Sequence, residues 1–465
     1  MTTAAGACVA DALARAANHG RPVVASVTVE LEPGTDVTRC VFASRGAEER
    51  YFVWEQPERD RFAIGALGSA ATIDATRGDD RFSSAAEQAG ELMRHAVIDA
   101  DLSLPAAGPL WVGGFAFEPD GGRTLEWASF PPSLLVLPEL TLVRRGERVT
   151  ATVLALCRRG DHAGALEERM IARLGALRHA PMPLVDPDPV GGYELSSVRT
   201  PEEFERAVAE AARAVAEGEV RKLVLAREVT VTAGTPFKPA AVFDALRSGY
   251  PSCYCFCVGT PEAAFVGASP ELLVRRSGAV VSTVALAGST RRSADPAVDD
   301  HLGERLLHSA KDLTEHGSVV RTIERALAPH SIWVTAADEP SLVKVANIQH
   351  LATPIRAQLA EPRSTIELAG ALHPTSAVGG EPWERARGLI PALERLDRGW
   401  YAGPVGWMDA TEDGELCVAL RCALLTGNVA HCYAGVGIVA GSDPEDELAE
   451  TEVKLQAVLP ALTGS

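Results

Sequence analysis

The chain has 465 residues, enough for one large domain or two or three ordinary ones, and its 46% hydrophobic and 23% charged residues are those of a globular protein. No apolar run reaches the length of a membrane span. The net charge of −18, with no basic tract to offset it, argues against nucleic acid as a partner. An anionic ligand would need a metal ion or a few well-placed Arg and Lys side chains.

The first twenty residues are Ala-rich but lack a basic start, and Asp11 and Arg15 interrupt them. That is not the pattern of a signal peptide, so the expected compartment is the cytoplasm. Residues 1–180 read as a strand-rich half. Segments 23–31, 38–44, 50–56 and 134–156 are rich in β-branched and aromatic residues with partial alternation. WVGGFAFEP (111–119) pairs glycines with aromatics, as in a strand closely approached by another element. Helices are predicted over 84–98 and 163–177. The stretch 181–192, PMPLVDPDPVGG, is a Pro-rich connector.

Residues 193–465 form the second half. Thr200, Pro201 and Glu203 make a helix start, followed by the apolar stripe Phe204, Val208, Ala211 and Val215 and a stop at Gly218. A short buried strand, KLVLARE, begins at Lys222. In CYCFCV, Cys253, Cys255 and Cys257 alternate with Tyr254 and Phe256 and would share one strand face. This is not zinc-site spacing. The nine cysteines read as small apolar thiols, and reduced thiols suit the cytosol. A long amphipathic helix is expected over 306–327, with Leu302, Leu306, Leu313, Val320, Ile323 and Leu327 facing a core.

Several residues are placed for chemistry. Asp312 and Glu315, three apart on that helix, crowd two carboxylates together, and Glu447 and Glu450 repeat the arrangement near the C-terminus. Two such pairs could converge on one hard cation such as Mg2+. Lys222 opens an apolar run, where burial would disfavour the ammonium form and suit a general base. Glu271, after a Gly-Ala-Ser-Pro turn, is placed to be desolvated and to serve as a general acid. Arg421 in an apolar run requires a carboxylate partner, from the protein or from a ligand. Gly435 and Gly437 could bring backbone NH groups to an anion, and Lys454 could bind a carboxylate. Plainer readings stand beside each of these. They are solvated helix faces for the acidic pairs, a strand-end lysine reaching water, a turn carboxylate, and a structural partner for Arg421. The glycines would be tight strand packing, and Lys454 an i,i+4 pair with Glu450. His350 and His373 are isolated, and each reads as a hydrogen-bonded core histidine.

In chain order, KLVLAR, GASPELL, ALAGSTRR, SAKDLTEH, HLAT, LHPTSAVGG, RGWYAGPVG, LRCALL and YAGVGIVAGSDPEDELAETEVK resemble the chorismate-utilising enzymes, namely the isochorismate, salicylate, anthranilate and aminodeoxychorismate synthases. The resemblance covers residues 200–456. WVGGFAFEP, with Trp127 and Phe130, is similar to the first half of the same fold. The resemblance implies one large α/β (α+β) domain of stacked antiparallel sheets flanked by helices, with 181–192 joining two halves of it. It implies Glu315 and Glu450 as Mg2+ ligands supported by Asp312 and Glu447, the ion holding the ring carboxylate of chorismate. Lys454, Gly435 and Gly437 would anchor the same region. Tyr401 and Arg421 would meet the enolpyruvyl carboxylate, and His350 would lie along the ring.

The resemblance also separates the branches. Ala287 stands where aminodeoxychorismate synthases carry a nucleophilic lysine. Lys222 is present where the ammonia-using anthranilate synthases lack a lysine base, so water is the implied nucleophile and no glutaminase subunit is expected. Ala377 in HPTSAVGG and Ser289 after Gly288 in ALAGST favour isochorismate synthase over salicylate synthase, whose counterpart of Ala377 is usually Thr. The expected activity is Mg2+-dependent isomerisation of chorismate to isochorismate by a monomer or weak homodimer. Salicylate synthase and a non-catalytic subunit of the same fold are the alternatives.

Overall fold

The β-branched and aromatic segments assemble into two stacked sheets, one of 13 strands and one of 10. The computed structural model describes residues 2–74, 78–345 and 348–464. Strand pairing among them is antiparallel except for Val23–Glu30 against Val97–Asp99. Each sheet is a block of strands from the second half joined to a block from the first. The seams are Tyr254–Gly259 on Tyr51–Gln56 in the larger sheet and Pro404–Asp409 on Leu110–Phe115 in the smaller. Large aromatics fill the layer between the sheets, among them Trp54, Phe115, Phe256 and Trp400, each essentially fully buried. A second core lies on the outer face of the larger sheet, under the helices Thr2–His19, Val37–Ser44, Ala163–Gly175 and Pro239–Gly249. No helix is long and apolar enough to cross a membrane among the described residues.

The helix start at Thr200 is a complete capping box: Thr200 accepts from the Glu203 amide and Glu203 accepts from the Thr200 amide. Cys253, Cys255 and Cys257 pack together into the outer core, and all nine cysteines are free and buried.

Three expectations are corrected. Residues 38–44, expected as a strand, lie in the helix Val37–Ser44, capped by Asp36 accepting from the Arg39 amide. Val37, Cys40 and Val41 fall on one helix face and are buried, so tertiary packing overrides their β-propensity. The helix expected over 84–98 is Arg81–Met93, and Val97–Asp99 is a strand. The long central helix is two helices, Pro296–Leu307 and Ala310–Leu327, because Ser309 caps the second by accepting from the Asp312 amide. The break resets the helical phase. The buried face of the second helix is His316, Val319, Ile323 and Leu327, while Leu313 is exposed.

Candidate active site

One cavity, with about 850 Å3 of empty space counting its open mouth, is lined by Lys222, Glu271, Gly288, Ser289, Asp312 and Glu315. His350, Ala377, Tyr401, Arg421, Gly435, Gly437, Glu447, Glu450 and Lys454 complete it. Every site residue expected from the sequence therefore faces the same space. They reach it from segments far apart in the chain, and none comes from the first half. His373 does not line it; its ring bonds to the Phe117 carbonyl through Nε2 at 3.0 Å.

Lys222 starts the strand Lys222–Ala233, which pairs with Val429–Ile438, placing Val224 opposite Gly437 and Ala226 opposite Gly435. The strand end does not carry Lys222 to water. The residue is 3% exposed, and its Nζ meets Glu315 Oε1 at 2.8 Å. This pair explains Gly437. A Cβ there would lie 2.8 Å from Lys222 Cε and 2.9 Å from Glu315 Oε1, closer than side-chain contacts allow. Gly288 has φ +75°, and a Cβ would press on Asp312 at 3.2 Å.

The acidic pairs converge on this cavity from the helices Ala310–Leu327 and Pro444–Leu455. Burial, partly opposed by Ser442 and reinforced by Glu450, pushes the Glu447 carboxyl to about 7. Burial also raises Asp312, against a hydrogen bond from Ser309 and with the charge of Glu315 adding to it. Glu450 differs: burial pushes it up, but Lys454 at 2.7 Å and the Ser289 hydroxyl at 2.9 Å more than offset this and hold it below the usual carboxylate range. Lys454 also donates to the Gly435 carbonyl at 2.8 Å. Four carboxylates on one wall are a hard, all-oxygen donor set suited in type to Mg2+. As arranged here, no three His, Cys, Asp or Glu side chains are gathered tightly enough to hold an ion among the described residues. Glu315 and Glu450 are instead each engaged by a lysine.

Glu271 lies in the turn between the strands Ala264–Ser269 and Leu272–Ser277 and is 4% exposed. Burial raises its carboxyl to about 7 despite the opposing charges of Lys222, Arg421 and Lys454. Arg421 sits between two strands with φ +50°, a left-handed conformation that non-glycine residues adopt at a cost. Its guanidinium is buried, and no carboxylate of the described residues ion-pairs with it. A buried cation with no ion-pair partner, facing a cavity, can receive an anion. Burial, with the charges of Arg421 and Lys454, depresses His350 to about 3, so its ring is neutral; it bonds the Gly288 backbone and leaves Nε2 buried without a partner.

Lys311 was not singled out from sequence. It lines the cavity 3.9 Å from Glu447, and only its place beside Asp312 marks it.

Comparison with known proteins identifies the family. A family model described as chorismate binding enzyme matches residues 11–463. The salicylate biosynthesis isochorismate synthase of Pseudomonas aeruginosa is 36% identical over 453 residues, 97% of this chain and 93% of that protein. Isochorismate synthase MenF of Bacillus subtilis is 32% identical over 460 residues, 98% and 97% of the two chains. The solved structure of MenF, the menaquinone-specific isochorismate synthase of Escherichia coli, superposes with a TM-score of 0.79 at 26% identity, covering 98% of this chain and all of that one. A match of this extent, on a chain whose cavity gathers an unpaired arginine and four carboxylates, makes it a member of the chorismate binding enzyme family.

Proposed function

We propose that the chain is an isochorismate synthase, an isomerase that converts chorismate to isochorismate. The observation that carries the reading is the pairing of Lys222 and a desolvated Glu271 in one cavity with the unpaired guanidinium of Arg421. Chorismate carries two carboxylates and a ring whose C2 and C4 exchange a hydroxyl, so the site must bind two anionic groups and move two protons.

Arg421 and Tyr401 receive the enolpyruvyl carboxylate. Asp312, Glu315, Glu447 and Glu450 would hold Mg2+, with Glu315 and Glu450 as the direct ligands. The bound ion would supply the counter-charge for the ring carboxylate, which the acidic wall alone would repel. Lys454 and the backbone at Gly435 and Gly437 border that carboxylate, and the neutral His350 lies along the ring. Gly288, Ser289 and Ala377 shape the remaining wall. Lys222, once its ion pair with Glu315 has opened, takes a proton from a water that attacks C2. Glu271, as the acid, gives its proton to the hydroxyl leaving C4 as water, and the ring double bonds shift between the two carbons. Lys222 ends protonated and Glu271 ionised, and proton exchange with solvent resets both. Each proton-transfer partner is worth on the order of 10^2 to 10^4 in rate.

Water as the nucleophile makes an ammonia-delivering subunit unnecessary, and the free, buried cysteines support the cytoplasm as the compartment in this reading. The test is to incubate the purified chain with chorismate and Mg2+ and separate the products. Isochorismate without pyruvate is expected. Salicylate with stoichiometric pyruvate would replace the assignment with salicylate synthase, and no turnover by the folded chain would refute it.

A further inference from the structure

Behind the cavity wall, Arg398 is 4% exposed and uses its guanidinium in three directions. Nε donates to Glu394 Oε2 at 3.0 Å and Nη2 to Glu394 Oε1. Nη1 donates to the Val378 carbonyl at 2.8 Å, and Nη2 also reaches the Val224 carbonyl at 3.0 Å. Glu394 accepts in turn from the Ala226 amide at 2.7 Å. The Phe117 ring lies 4.1 Å from the guanidinium carbon and the Tyr401 ring 5.9 Å from it.

Three of these contacts are cavity walls. Val224 follows Lys222 on the same strand, Val378 follows Ala377, and Tyr401 faces the ligand space. Arg398 therefore ties together backbone and ring groups from three chain segments, the strand that carries Lys222 among them. A pure stability role needs only the ion pair with Glu394; the two carbonyl bonds need the planar fork of arginine, which lysine lacks. Phe117 comes from the WVGGFAFEP motif of the first half, which otherwise contributes nothing to the cavity. Its carbonyl holds His373 and its ring faces Arg398, so this residue is one route by which the first half reaches the site; Trp127, packed on the Tyr433 ring that stacks on Tyr401, is another.

We propose that Arg398 is a positioning residue for the isomerisation: backed by Glu394 and Phe117, it fixes the Lys222 strand against the Ala377–Val378 wall and the Tyr401 ring. This rests on the reaction proposed above. Because the spacing of base, water and ring matters in the transition state more than in binding, its loss lowers kcat more than it raises KM.

The experiment compares wild-type chain, Arg398→Lys and Phe117→Leu in steady-state isochorismate formation, with thermal melting of each. Arg398→Lys keeps a charge beside Glu394 and loses the fork. It is expected to lower kcat by about tenfold to a hundredfold with KM for chorismate changed by less than about threefold. Phe117→Leu keeps the ion pair whole and is expected to lower kcat by roughly threefold to tenfold with KM unmoved. If Arg398→Lys does not fold, Phe117→Leu decides. Folded variants with wild-type kcat and KM, or with only a lowered Tm, overturn the positioning role alone. Absence of isochorismate from the wild-type chain overturns the reaction and the role together.

Discussion

Replacing Glu271 by Gln tests the general acid in two independent ways. Burial raises this carboxyl from 4.5 to about 7. That is roughly 2.5 pH units, and at ~1.4 kcal/mol per unit the ionised form costs the folded state about 3 kcal/mol. The folded protein then holds a proton that the unfolded chain releases, so the stabilisation is fully present below the unfolded value and is lost as pH rises through 7. Glu271→Gln keeps the shape and removes the titration. Between about pH 5 and about pH 8.5, wild-type unfolding free energy should fall by about 2.5 kcal/mol more than that of the variant. Urea denaturation of both proteins at both pH values gives this double difference, in which the cost of burying an amide cancels. Turnover by the variant should drop on the order of 10^2 to 10^4, and wild-type kcat should decline above pH 7 as the acid ionises. Parallel stability profiles, or a variant that turns over normally, would refute a buried, protonated Glu271.

Lys222→Ala should cost on the order of 10^2 to 10^4 in kcat without loss of fold, measured by product separation and circular dichroism. Gly437→Ala places a methyl group within 2.8 Å of Lys222 Cε and 2.9 Å of Glu315. It should lower kcat by more than about tenfold while destabilising by no more than about 1–3 kcal/mol, read from kinetics and urea unfolding. Chelation should abolish turnover and Mg2+ should restore it, and Glu450→Gln should raise the Mg2+ needed for half-maximal rate by about tenfold or more in a titration of rate against metal.

Much of the site was legible because its residues sit in short, distinctive segments whose chemistry can be weighed before the fold is known. The two acidic pairs, Lys222 and Glu271 were each placed by spacing or by a neighbouring apolar run, and the cavity gathers them. What the segments could not convey was partnership. The ion pair Lys222–Glu315 and the bond from Ser289 to Glu450 depend on the distance between strands and helices, which no local pattern encodes, whereas Lys454–Glu450 is the i,i+4 pair that the spacing already offered. Arg398 and Glu394 escaped notice for the same reason, since an arginine four residues after a glutamate at a helix end reads as an ordinary surface pair. The misread helix at Val37–Ser44 shows composition failing: Val37, Val41 and Phe42 resemble strand residues, and the capping aspartate at 36 was the better signal. The break at Ser309 was also written locally, as a serine three residues before Asp312, but a leucine periodicity running across it hid the new start.

The seam between the two blocks of each sheet bears on how the enzyme comes into being. Lys222 opens a strand whose partner, Val429–Ile438, lies some two hundred residues further along, and the helix with Glu447, Glu450 and Lys454 comes later still. During synthesis the sheets can grow by neighbouring hairpins while the cavity still lacks one wall. Pairing across so long a stretch is slow, because loop closure must precede any gain from the contact. A nascent chain is therefore catalytically silent until its closing helix docks. Damage or truncation that removes that helix would leave a largely assembled scaffold stripped of two carboxylates and a lysine, an inert protein rather than a leaky one.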